Sequence, residues 1–345
     1  MKLAIFAHRG PASFRNQSGL LYKAGIQLGY EVEERDISQR AVYPTDQWDR
    51  IIVLVPLWPR YVFDAVRLST PWFSKKFTLY GPVDGPYMLN VTFLKVVNQL
   101  NVITTSQFCR EAMIKSEVKV NGVVYHGIDP RDFKFSDSPK YDRFKQLRAK
   151  HPGKTIFFSN LNPIHRKGFK HLSRALQILS KKRPRDFVFI LHTGRGDAMK
   201  HSPDLAKIPG LVIEDAYNQL PFRQIALKTA SCDVFVFPSL LEGFGLPVLE
   251  AAAAGRPIVC CDMAPLTEIL RPDDAWWFPY QNIREEEWQA PGCRAQLHEY
   301  DPADLARAME TAMDHPKESA EKAKKAQERS RAFHYMKVYK PLLKG

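Results

Sequence analysis

The chain has 345 residues, 45% of them hydrophobic, and carries a formal net charge of +13. Domains usually run to roughly 100–200 residues, so two domains with separate cores are expected. No apolar run reaches the about 18 residues that a spanning helix needs. The five cysteines (Cys109, Cys232, Cys260, Cys261, Cys293) show no CxxC or Cys/His ligand spacing. No metal site is expected from them, and their odd, scattered set suits reduced thiols in a cytoplasm. The charge suits a polyanion, an anionic membrane surface or anionic substrates, although a generally basic proteome would produce it too.

The first ten residues, MKLAIFAHRG, lose their apolar character after Ala7. That is too short for the core of a secretory signal and reads as a buried strand over 3–7. Further strands are predicted over 30–33, 51–55, 77–80, 102–104 and 118–125, with helices such as 18–28 and 90–100 between them. The loop His8-Arg9-Gly10-Pro11 lacks the spacing of a GxGxxG fingerprint. Residues 58–77 interleave the aromatics Trp58, Tyr61, Phe63, Trp72 and Phe73 with Arg60, Arg67, Lys75 and Lys76. Such a stretch suits an interface with anionic lipid, at which the protein would sit peripherally. It equally suits stacking on nucleic-acid bases, or an aromatic core helix with a basic outer face.

Residues 130–153 are polar and charged, reading as a linker plus a surface helix. The pattern then restarts with strand 155–159, helix 168–180, strands 187–192 and 211–213, helix 222–230, strand 234–238, helix 247–254 and strand 257–261. A charged, Ala-rich helix over 317–331 precedes an aromatic ending. Three segments follow: an N-terminal domain over 1–140, a C-terminal domain over 141–330, and a tail over 331–345 that packs back on the first domain. The alternation argues for an α/β chain of two doubly wound parallel sheets facing across a cleft, with ligands at the carboxyl ends of the strands.

The most informative stretch runs from Asp233 to Val259. A buried strand ends at Pro238, a glycine-containing loop follows, and Pro247 is expected as the first helical residue, where its missing N–H costs nothing. The amides of Phe244, Gly245 and Leu246 would then face outward at a helix N-terminus, a ready anion site. Gly243 and Gly245 would let a ligand approach the backbone. Glu242 and Glu250 flank this turn. Two carboxylates suit a phosphate that carries hydroxyl-rich groups on both sides, since carboxylates accept hydrogen bonds from paired hydroxyls.

The string Pro238-Ser-x-x-Glu242-Gly-Phe-Gly-Leu-Pro-x-x-Glu250-Ala resembles the donor-site signature of glycosyltransferase family 4, whose members are retaining enzymes of the GT-B fold. Two more segments resemble the family: Phe158-Ser-Asn-Leu-Asn-Pro-Ile-His-Arg166-Lys167-Gly168, and Val124-Tyr-His126-Gly127-Ile128-Asp129 through Phe133 at the domain junction. The likeness is strong over 155–270 and weak over 1–133. It implies two Rossmann-like domains and transfer of a hexose from a UDP- or GDP-sugar to a hydroxyl acceptor, either a glycan or a lipid-linked one. The nucleotide sugar is a donor substrate, and no cofactor is implied.

By matching position, Glu242 would bind sugar hydroxyls, Glu250 the ribose, and the Phe244–Leu246 amides the sugar and diphosphate. Lys167 would neutralise the departing diphosphate. Gly10 would contact the donor phosphates and Tyr217 the nucleobase, a plain core tyrosine being the equal alternative for the latter. The sequence departs from the family at Asn160, where an arginine is usual, and Arg166 is the candidate substitute. The family's first-domain histidine has no match; Asp84, between two Gly/Pro turns, is the candidate there, a plain turn aspartate being the alternative. No Asp-x-Asp triplet occurs, so a metal-independent reaction is expected. Rival readings are a sugar-nucleotide epimerase, a nucleic-acid-modifying glycosyltransferase and a non-catalytic sugar-nucleotide-binding module.

Overall fold

A computed structural model of the chain describes residues 1–37, 47–69, 77–88, 91–135, 142–288 and 292–344. It separates into two compact units, one of Met1–Asp129, Glu285–Gln296 and Ala332–Gly345, the other of Pro130–Arg284 and Leu297–Arg331. The division falls at Asp129/Pro130 rather than after 140. The short turn Pro130–Phe133 already packs with the second unit, where Phe133 meets Phe222 edge-on at 5.9 Å.

The first unit holds six parallel strands: β1 Lys2–Ala7, β2 Glu31–Asp36, β3 Arg50–Leu54, β4 Phe77–Gly81, β5 Asn101–Thr104 and β6 Gly122–Val123. They lie in the order β2-β1-β3-β4-β5-β6. β1, β3 and β4 are buried almost end to end, because a parallel sheet covered on both faces needs continuous apolar runs. The sixth strand is far shorter than the predicted 118–125. Val118 is taken up by the end of the helix Gln107–Lys115, its amide bonding to Met113 O. The helix Pro59–Ser69 turns Val62 and Ala65 into the core beside buried Trp58, and leaves Phe63 55% exposed. Trp72, Phe73, Lys75 and Lys76, and the side chain of Arg67, lie outside the described residues.

The tail forms the helix Tyr335–Lys344 and belongs to the first unit, packed on the first helix, Ala12–Gln27. The junction turn is clasped by it. Ile128 N donates to Phe333 O and Tyr335 N to Ile128 O, both at 2.9 Å. Gly127 is required here: a Cβ would meet Tyr335 Cα at 2.7 Å. His126 is buried against the Tyr80 hydroxyl at 3.0 Å, and burial pushes its imidazole down to about 3, so it is neutral and structural.

The second unit has strands β7 Thr155–Asn160, β8 Phe187–Thr193, β9 Leu211–Asp215, β10 Val234–Phe237, β11 Ile258–Cys261 and β12 Trp276–Phe278. Their order, β12-β11-β10-β7-β8-β9, runs outward in both directions from the β7–β10 pair. Strand order therefore reverses between β7 and β10, which is where a doubly wound sheet opens a ligand crevice at its carboxyl edge. A hairpin of β13 Asn282–Glu287 and β14 Arg294–Glu299 follows. It was not legible in the sequence, since β13 reads Asn-Ile-Arg-Glu-Glu-Glu and alternates no apolar residues. All five cysteines are buried thiols. Among the described residues no helix is long and apolar enough to cross a membrane.

Candidate active site

The loops that leave β7 and β10 are tied together through backbone carbonyls. Leu240 N donates to Arg166 O at 2.9 Å and Arg166 Nη1 to Leu241 O at 2.6 Å, with Ser239 Oγ 3.3 Å from Arg166 O. Gly168 stands in the left-handed region at φ +73°, and a Cβ there would run into the Pro238 carbonyl. Only glycine lets the two loops close to this distance.

The closure brings Lys167 against Glu242. Lys167 is 8% exposed and donates to Glu242 Oε1, with its ammonium 5.6 Å from the centre of the Phe237 ring. Glu242 is 6% exposed, accepts a 2.6 Å hydrogen bond from Ser239 Oγ, and has Arg166 Nη1 at 3.8 Å from its second oxygen. Burial alone would raise its carboxyl. The charges of Lys167 and Arg166, with the hydrogen bonds from Lys167 and Ser239, outweigh it and hold the carboxyl below its ordinary value. Both charges are thus maintained inside the fold.

Past Glu242 the helix begins at Leu246, with Pro247 as its second residue rather than its first. Gly245 caps it at φ +98°, and a Cβ there would collide with Leu266. This glycine is demanded from inside the fold as well as by any approaching ligand. The amides of Gly245 and Leu246 meet no acceptor among the described residues. Gly243 and Phe244 are buried, so what this turn offers outward is backbone rather than the Phe244 ring.

Glu250 lies four residues further, about 6 Å along the helix. Its side chain has no hydrogen-bond or ion-pair partner among the described residues. It keeps some accessible surface, yet its carboxyl is packed deeply enough that burial pushes it up to about 8. Glu242 and Glu250, eight residues apart, are therefore held in opposite protonation states at neutral pH.

The remaining candidates divide by unit. Tyr217, half-buried after β9, has its hydroxyl pushed up to about 12 by burial, with Arg166 and Glu242 close enough to act on it electrostatically. It belongs with the Glu242 cluster. Asn160 ends β7, half-buried, and its side chain has no partner among the described residues. Arg166 stands at Glu242. In the first unit, Asp84 is buried in the loop after β4, which Cys109 pins at both the amide and carbonyl of Val83 (3.3 and 3.2 Å). Gly10 is exposed after β1, and a Cβ there would meet only the His8 ring at 3.4 Å. Sequence reasoning missed Ser239, whose position three residues before Glu242 was the available signal. Among the described residues no three His, Cys, Asp or Glu side chains converge as a metal site would require.

Residues 152–315 match the family model of group 1 glycosyl transferases. An uncharacterized glycosyltransferase of Methanocaldococcus jannaschii is 28% identical over 196 residues, 54% of this chain and 49% of that protein. The O-antigen chain mannosyltransferase B of Escherichia coli is 31% identical over 124 residues, 34% of this chain and 31% of that protein. The matches thus span about half of these curated relatives or less. Among solved structures, HepE of Anabaena, in complex with UDP and glucose, superposes with a TM-score of 0.72 over 100% of this chain and 98% of that one, at 14% identity. Over residues 152–315 the chain is thus similar to group 1 glycosyl transferases, and its two parallel-sheet units have the GT-B fold.

Proposed function

We propose that the chain transfers a hexose from a UDP- or GDP-sugar to a hydroxyl acceptor with retention of configuration. The observation that carries this reading is the buried Lys167–Glu242 pair beside a helix start whose amides have no acceptor. A diphosphate seated on the Gly245 and Leu246 amides meets the positive end of the helix. Lys167 can then turn from Glu242 to the leaving diphosphate, a preplaced cation where negative charge develops. This leaves Glu242 to accept hydrogen bonds from the hexose hydroxyls, while unpartnered Glu250 takes those of the ribose. With a lysine and two amides at the leaving group, the reaction needs no divalent cation. The acceptor attacks from the face the diphosphate leaves, without a glycosyl-enzyme; a trapped covalent adduct would overturn that step.

The acceptor side belongs to the first unit, where Asp84 stands in for the family's histidine, while Gly10 is the candidate contact of the donor phosphates. A glycan or lipid-linked acceptor is proposed, in keeping with the O-antigen activity named for one relative. Exposed Phe63 and Arg60 would let the unit rest peripherally on an anionic membrane. Thermal-shift titration against UDP- and GDP-sugars tests the donor site, because bound donor raises Tm by mass action. A shift is expected for one base and lost in Glu250→Ala. An undiminished shift in that variant would remove Glu250 from the site.

A further inference from the structure

The loop bearing Glu242 is held from a second side, by the end of β14. His298 N donates to Leu240 O at 2.8 Å, and its ring Nδ1 lies 3.2 Å from the same oxygen. Because that acceptor is a carbonyl, the ring carries its proton on Nδ1. Two residues on, the Tyr300 hydroxyl donates to Pro238 O at 2.7 Å. Tyr300 is buried, and burial raises its hydroxyl well above the ordinary range, so it stays a donor at any working pH. The same hydroxyl lies 3.2 Å from the point where a Cβ on Gly168 would stand. Tyr300 therefore holds the carbonyl at which the Glu242 loop begins and stands beside Gly168, the residue after Lys167. Its ring is itself wedged between His171 (centroids 4.7 Å apart) and Phe278 (4.6 Å), and His171 is fixed by Glu299 at 3.0 Å.

We propose that Tyr300 and His298 are positioning residues that set the spacing of Lys167 and Glu242. Neither touches the reacting atoms in the mechanism above, on which this inference rests. Their hydrogen bonds fix the carbonyls of Pro238 and Leu240, and so fix where the Glu242 carboxylate stands when the lysine leaves it. Groups that lock the ligating residues in this way matter because small displacements of a reacting constellation cost large factors in rate. The amides of Gly245 and Leu246 keep their own cap, so the share of donor affinity they would give the diphosphate does not depend on these two hydrogen bonds.

The test compares Tyr300→Phe, His298→Ala, His298→Asn and Lys167→Ala with the parent chain. UDP-glucose and GDP-mannose serve as probes, with nucleoside-diphosphate release measured for turnover and calorimetry for donor affinity. Tyr300→Phe should lower kcat about tenfold with donor Kd unchanged within about twofold. His298→Ala should lower kcat by a smaller factor, and His298→Asn, which restores an N–H for Leu240 O, should recover most of it. A merely structural role would move kcat and Kd together and would not distinguish Asn from Ala. Wild-type turnover in Tyr300→Phe and His298→Ala, with Lys167→Ala inactive, would overturn this inference alone. Full activity in Lys167→Ala would overturn the mechanism beneath it.

Discussion

The two units solve the same folding problem and furnish the same place differently. Each builds six parallel strands, and each reverses strand order once, at β1–β3 in the first and β7–β10 in the second. At the second reversal the loops are latched through backbone carbonyls, enclose a lysine–glutamate pair and present a glycine-capped helix. At the first, the His8 ring leans on Tyr61 at 5.3 Å, Arg9 reaches Glu34 only at 3.9 Å, and Gly10 is open to solvent. One crevice is built around buried charge, the other around aromatic rings beside an exposed glycine. If the second crevice holds a diphosphate, as proposed, its charge needs burial and a partner, whereas a surface that only adapts to an acceptor does not.

The strongest way to break that contrast is Glu242→Ala. It strands Lys167 as a buried cation without its counter-charge, a change that typically costs about 3–5 kcal/mol. Turnover should also fall by roughly 10²–10³-fold, as when one preplaced electrostatic group is lost. Urea denaturation and nucleoside-diphosphate release check both. Asp84→Ala should reduce stability far less, and equal losses in the two variants would erase the distinction between the units.

Next in size is Gly245→Ala. Alanine at φ +98° is strained, by about 1–2 kcal/mol in the left-handed region, and its methyl also presses on Leu266. A loss of roughly 2–3 kcal/mol is expected once overpacking is added. Donor affinity should fall as well, because the cap orients the two amides. Retained stability would mean that the turn can relax and that the glycine answers to the ligand alone.

A smaller effect, opposite in sign for stability, is expected at Glu250. Its carboxyl ionises near 8 in the fold and near 4.5 when exposed, so the folded chain holds the extra proton between those values. Stability therefore declines as pH rises through this window, and the cost is complete above about 8. Glu250→Gln, which cannot ionise, should raise Tm at pH 8 by about 2–4 °C and flatten its pH dependence. In the parent chain, ribose hydroxyls that donate to the carboxylate favour its charged form, so donor binding should release a proton and tighten as pH rises towards 8. Calorimetry in buffers of different ionisation enthalpy measures that proton. Proton uptake instead would place the carboxyl away from the hydroxyls.

Much of the fold was legible because buried parallel strands leave continuous apolar runs, as in β1, β3 and β10. The hairpin β13–β14 escaped for the converse reason: its first strand is exposed and acidic, and its partner carries the only clear alternation. At the site, the glycines and carboxylates could be read from one local string. The Lys167–Glu242 pairing could not, because 75 residues separate the two and only the sheet order brings β7 beside β10. Nor could the opposite protonation of Glu242 and Glu250, which depends on what each one touches. Arg166 was a substitute for a missing cation near Asn160 in the sequence; its direction, towards Glu242, is a property of the latched loop.

Gly10 gives the finest test of the comparison, since it occupies in the first unit the kind of position that Gly168 occupies in the second, on the loop that leaves the first strand. Gly168 is locked by its backbone angle and by the Pro238 carbonyl, whereas a Cβ on Gly10 meets only the edge of His8 at an ordinary contact distance. Gly10→Ala should therefore leave stability within about 0.5 kcal/mol, as for other unconstrained surface positions. If this loop approaches the donor phosphates, as proposed, the added methyl should still raise the donor KM severalfold while Tm stays put. Loss of affinity without loss of stability would show a glycine kept for its ligand. An unchanged KM would assign Gly10 to the loop alone and leave the donor entirely to the second unit.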